Sequence, residues 1–145
     1  MQVLLDTNIL LDVLLNRLPW GAEAAAIWQA GEESRLVSSV TSLSVANMFY
    51  VARRHSGLEK AFHAVQECLQ VCKILPVARD TLQAGLALPG KDFEDNLQIV
   101  AAVEAGLDAV VTRNPTDFAA CPLPVLTPQE LLARLSSPPK PDFNG

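Results

Sequence analysis

The residues in this chain best suited to chemistry are carboxylates placed at the ends of apolar runs. Asp6 ends the run Val3-Leu4-Leu5 and is followed by Thr7, Asn8 and a second apolar stretch. Asp92, Glu94 and Asp95 stand together where another apolar stretch begins, and Asp117 follows a run that ends at Thr112. Acids gathered on one edge of a fold repel one another unless a cation neutralises them. Oxygen ligands in that number suit Mg2+ or Mn2+, which activate water and stabilise a phosphoryl oxygen in phosphodiester cleavage. Plainer roles compete. An acid in the first turn of a helix favours the positive end of its dipole, which accounts for Asp92 and Glu94, and Asp117 suits a turn. Asp6, caught between two apolar runs, has no such account.

The elements that must position these acids follow from apolar spacing. Val3–Leu5, Arg35–Ser39, Val71–Leu75, Asp108–Thr112 and Pro124–Leu126 are short and apolar or β-branched, and read as strands. Helical spacing covers Ile9–Leu15, Ala22–Ala30 with a stop near Gly31, Leu43–Arg54, Leu58–Val71, Ala78–Leu88, Phe93–Ala105 and a last helix from the Thr127 cap through Leu135. Val40-Thr41-Ser42 reads as a helix start with hydroxyl caps, and Asn114–Phe118 as a turn or short helix. Short apolar strands alternating with helices mean an α/β fold whose mainly parallel sheet is covered on both faces. In such a sheet, ligands bind at the carboxyl ends of the strands, where Asp6 stands. The domain is expected to span residues 1–136, followed by a Pro-rich, disordered tail over 137–145.

Composition narrows the classes. At 145 residues with 50% apolar and 19% charged residues, the chain forms one globular domain. No apolar run approaches the ~18–20 residues of a membrane span, and the N-terminus lacks a signal peptide's basic segment, so a cytoplasmic protein is expected. A net charge of −5 argues against binding nucleic acid through phosphates alone, but not against an enzyme whose acids hold metal. Neither a Gly-rich phosphate loop nor a nucleophile elbow is present. His55 and His63 lie on helical stretches far from the strand ends. Cys68, Cys72 and Cys121 read as small apolar residues, with a metal or redox site as the competing reading.

Four stretches together resemble the PIN-domain family of metal-dependent ribonucleases, which includes VapC-type toxins. They are Leu4–Asp12 (LLDTNILLD), Val40–Arg54 (VTSLSVANMFYVARR), Asp92–Gln98 (DFEDNLQ) and Val110–Phe118 (VVTRNPTDF). They run in order from the N-terminus to Phe118. The resemblance implies a three-layer α/β sandwich with about five short strands and helices on both faces. It places the family's first acid on Asp6, with Asn8 as polar partner, and the third on Asp95, which Asp92 joins from one helical turn earlier.

Two positions depart from the family pattern. The second acid falls on Asn47 and the fourth on Asn114, with Asp117 three residues on. An amide oxygen still binds a hard cation but without full charge, so one metal is favoured over two. Thr112 is expected to orient the ligands. Arg113 and Arg17 are assigned to substrate phosphates, with a solvated surface charge as the plainer role.

The implied activity is Mg2+- or Mn2+-dependent endoribonuclease hydrolysis by the toxin of a toxin–antitoxin pair. RNA, a cognate antitoxin and a second copy of the chain are the implied partners, with Trp20 and Trp28 as contact residues if they are not core. Asn47 and Asn114 motivate the alternative of a weakened PIN fold that binds RNA or protein without cutting. A phosphoryl-transfer or receiver-like domain would need a second Asp and a Lys close to Asp6, and neither is near in sequence.

Overall fold

The computed structural model describes residues 1–137; the expected tail lies outside the described residues except for Ser137. Five strands form one all-parallel sheet: β1 (Gln2–Leu5), β2 (Val37–Thr41), β3 (Lys73–Leu75), β4 (Ala109–Val111) and β5 (Val125–Leu126). Seven helices alternate with them among the described residues: α1 (Thr7–Leu14), α2 (Gly21–Glu32), α3 (Ser42–Ser56), α4 (Leu58–Val71), α5 (Arg79–Ala87), α6 (Phe93–Glu104) and α7 (Pro128–Ser136). A 3-10 turn covers Pro115–Phe118. Element order and the parallel α/β class agree with the sequence reading.

The sheet is buried on both faces because side chains alternate along each strand. Val3, Leu5, Ala109 and Val111 join the core that also holds Ile9, Leu10, Ile27, Trp28, Met48 and Leu131. Leu4 and Val110 point the other way, into a smaller core with Ile99, Ala102, Leu107 and Phe118. α5 packs against α6. Cys68 and Cys72 are buried, and burial pushes both thiols up to about 12, as small apolar side chains in a core would show.

The strand order is β3-β2-β1-β4-β5. The chain builds outward from β1 through β2 to β3, then returns to the other side of β1 for β4 and β5. The order therefore reverses between β1 and β4, and a crevice opens beyond their carboxyl ends. Val3 pairs with Ala109 and Leu5 with Val111, which sets the residues after the two strands side by side.

One difference from the expected boundaries bears on the site. β2 runs through Val40 and Thr41 instead of ending at Ser39, because both are β-branched, buried and paired with Ile74 and Leu75 of β3. Thr41 still serves as the α3 cap, its hydroxyl accepting from Ser44 N at 3.0 Å. α2 ends at Glu32, beside the stop expected near Gly31. A Cβ at Gly31 would lie 3.1 Å from Ser38 Oγ and 3.3 Å from Val71 Cγ1, so glycine serves close approach to β2 and α4. Among the described residues, no helix is long and apolar enough to cross a membrane.

Candidate active site

Asp6 sits where β1 hands over to α1. Its backbone N–H continues the sheet by donating to Val111 O at 3.0 Å. Its carboxylate makes no capping bond to α1, although the backbone N–H groups of Thr7 and Asn8 face it. Instead Oδ2 accepts from the Thr112 hydroxyl at 2.9 Å and Oδ1 from Gln98 Nε2 at 3.2 Å. Asp6 is only 4% exposed. That burial raises its pKa, against the pull of the Thr112 hydroxyl, the Gln98 amide and the two facing N–H groups.

Thr112, the residue after β4, is oriented in turn. Its oxygen accepts from Asn114 N at 3.1 Å, so its single proton goes to Asp6. Asn114 thus acts through its backbone. Its side chain is exposed and is not among the groups lining the crevice.

The crevice is an open cleft of about 470 Å³ lined by Asp6, Asn8, Asn47, Asp92, Glu94, Asp95 and Asp117, with Tyr50 and Arg54 at its edge. A second hollow shares the wall of Asp92, Asp95 and Asp117 and carries Lys91. The five acids singled out by spacing are therefore brought together. Asp92 also caps α6, its Oδ1 accepting from Asp95 N at 3.0 Å, so its helix-end role and its place in the cleft coexist. The Asp95 carboxyl is pushed up to about 7, first by burial and then by the charges of Asp92, Asp6, Asp117 and Glu94. A carboxyl surrounded by like charge holds its proton more tightly, and a cation in the cleft would relieve that repulsion.

The donor set fits a hard divalent ion in chemistry, since carboxylate, amide and hydroxyl oxygens line the cleft and neither His nor Cys does. Among the described residues no three His, Cys, Asp or Glu side chains already converge as a ligand shell. The acids are spread along the cleft, and Asp6, Asp92 and Glu94 are held by hydrogen bonds of their own.

Arg17 and Arg113 do not fill the roles expected of them. Neither lines the cleft. Both are held by Asp12, which is fully buried: Arg113 Nε donates to Oδ2 at 2.6 Å and Arg17 Nε to Oδ1 at 3.0 Å. The Arg113 guanidinium also lies over the Trp20 ring, 3.7 Å from its centroid. Burying a carboxylate requires such pairing, and the pair ties the loop after β4 to α1. Trp28 is core; Trp20 is half-committed to this stack.

Two cleft features go beyond the sequence reading, which explained Glu94 by the helix dipole and left Arg54 unassigned. Glu94 reaches across to α1 and α3, its Oε1 accepting from the Thr7 hydroxyl at 2.7 Å and its Oε2 from Asn47 Nδ2 at 2.8 Å. Arg54 shares a face of α3 with Asn47 and Tyr50, and helical spacing from Asn47 was the available signal.

A sequence profile of the PIN domain matches residues 2–116. No curated protein sequence matches the chain. The fold is similar to DNA-bound VapBC from Salmonella typhimurium, with a TM-score of 0.67 and 16% identity over 88% of this chain and 98% of that one. It is similar to a toxin–antitoxin complex from Klebsiella pneumoniae, with a TM-score of 0.65 and 23% identity over 87% and 97%. It is also similar to Mycobacterium tuberculosis VapC20, a sarcin–ricin loop cleaving toxin, with a TM-score of 0.62 and 14% identity over 74% and 86%.

Proposed function

Because the chain belongs to the PIN-domain family, we propose that it is a Mg2+- or Mn2+-dependent endoribonuclease, the toxin of a toxin–antitoxin pair. The observation that carries this reading is the gathering of Asp6, Asp92, Asp95 and Asp117 on the cleft at the β1–β4 reversal, with the Asp95 carboxyl raised to about 7 by burial and then by the charges of its neighbours. Asp6 and Asp95, with Asp92 or Asp117, would hold the ion. When bound, it supplies Lewis-acid activation of water and neutralises charge on the phosphoryl group.

The protein's own contributions are positional. Thr112 and Gln98 fix the rotation of the Asp6 carboxylate, so its oxygens need no reorganisation when a cation arrives. Asn8 and Asn47 add neutral polar groups to the wall. Arg54 at the edge offers a guanidinium to a substrate phosphate.

The toxin assignment draws on fold relatives that occur in toxin–antitoxin complexes, one of which cleaves the sarcin–ricin loop. A cognate antitoxin and a second copy of the chain are the proposed protein partners, and the cytoplasm the proposed location. The test is incubation of the purified protein with structured RNA and Mg2+ or Mn2+. Cleavage is expected, with loss in Asp6→Asn; cleavage that survives this change excludes the assignment.

The presence of Asn47 and Asn114 where the family carries acids favours a second reading, a weakened fold that binds RNA or protein without cutting. Wild-type protein inert with both metals, but active after Asn47→Glu with Asn114→Asp, would select it.

A further inference from the structure

Glu94 is placed in a way that a helix-end acid is not. It lies in the first turn of α6, where favouring the helix dipole would require no partner at all. Its carboxylate instead bridges two other helices through bonds to residues 87 and 47 positions away in sequence. The partner hydroxyl belongs to a directed chain. Thr7 has one proton, and giving it to Glu94 leaves the Thr7 oxygen to accept from Ser44, 2.7 Å away. Ser44 in turn accepts from Thr41 at 3.0 Å. Thr7, Ser44 and Thr41 are all buried, so this arrangement is costly to disturb.

The second partner is Asn47, where the family resemblance leads one to expect an acid. Its amide donates to Glu94, and both residues line the cleft with Asp6, Asp92, Asp95 and Asp117. We infer that Glu94 supplies from α6 the carboxylate that position 47 of α3 lacks, and that Asn47 is the residue that positions it. The acid has changed helices while its place in the cleft is kept. An acid at 47 would repel Glu94 across this contact, so the amide is the side chain that the arrangement requires. The charge of the site is then not reduced by Asn47.

This inference rests on the metal-dependent reading above, and Mn2+ binding tests the two separately. Titration calorimetry with Mn2+ alone compares the full chain with Glu94→Gln, Asn47→Ala and the double variant Asn47→Glu/Glu94→Gln, each checked for folding by circular dichroism melting. Glu94→Gln is expected to weaken Mn2+ binding by about tenfold or more and Asn47→Ala by a smaller factor. The double variant, which returns the carboxylate to α3, is expected to recover most of the loss. Wild-type binding with an unchanged Glu94→Gln overturns the assignment of Glu94 and leaves the metal site standing. If Glu94→Gln does not fold, unchanged binding in Asn47→Ala, or a double variant that folds and binds no better than Asn47→Ala, overturns it. Wild-type protein that binds no Mn2+ removes the metal-dependent reading and this inference with it.

Discussion

The Thr112 hydroxyl donates to Asp6 Oδ2 at 2.9 Å across 106 residues of sequence, and both groups are buried at the junction of β1 and β4. The bond fixes the face that Asp6 presents. Thr112→Val keeps the shape and removes the donor. It is expected to lower RNA cleavage about tenfold to a hundredfold and to cost about 1–2 kcal/mol of stability, because Asp6 Oδ2 and Asn114 N each lose a partner. It should also raise the Asp6 pKa further, because a bond that favours the ionised form is lost. Initial-rate profiles against pH check the rate and the pKa, and an unchanged rate would show that Asp6 needs no orienting partner.

Asp95 gives the metal-free protein a pH dependence of definite sign. Its carboxyl stands at about 7 in the folded chain against an ordinary 3.8. Between those values the folded state holds the proton more tightly than the unfolded chain does, so stability falls as pH rises from about 4 to about 7. Melting curves without metal should show this fall, reduced in Asp95→Asn. Mg2+ or Mn2+ should restore stability above that window and have little effect below it. A metal-free melting temperature that rises through the window would contradict this assignment.

Asp12 is the structural counterpart of the cleft acids. Asp12→Ala leaves Arg113, whose side chain is 15% exposed, without its partner. A loss of roughly 3 kcal/mol is expected in urea unfolding, together with a looser loop after β4. A loss under about 1 kcal/mol would place the pair among ordinary surface bridges.

Arg54 is the basic residue of the acidic cleft's edge, exposed and one helical turn beyond Tyr50. Arg54→Ala should raise KM for RNA with kcat nearly unchanged. It should also flatten the dependence of log affinity on log salt by about 0.7, the share of one phosphate contact on a single strand. Filter binding over a salt series measures the slope, and an identical slope would remove Arg54 from the substrate path.

What could be read from the chain and what could not divide along contact range. Asp6, Asp92, Asp95 and Asp117 were legible because each follows a strand or opens a helix, and parallel strands send such residues to one edge. Arg17 and Arg113 were misplaced because their partner, Asp12, lies on α1 among apolar neighbours. Its bond to Arg113 spans 101 residues, which no local pattern reveals. Glu94 was visible as an acid in a first turn, and the dipole sufficed to explain it until its bonds to Thr7 and Asn47 were seen. The end of β2 is ambiguous for a local reason: Thr41 is both the last strand residue and the cap of α3, and its hydroxyl marks a helix start as strongly as its β-branch marks a strand.

The strand order also governs when the acidic cleft can come into being. β1 leaves the ribosome first, yet its neighbour on the site side, β4, begins only at Ala109, and Asp117 follows later still. A nascent chain halted anywhere before β4 carries Asp6 without the strand that supplies its Thr112 bond. The centre therefore closes late in translation, and fragments truncated within the first hundred residues carry an unfinished cleft.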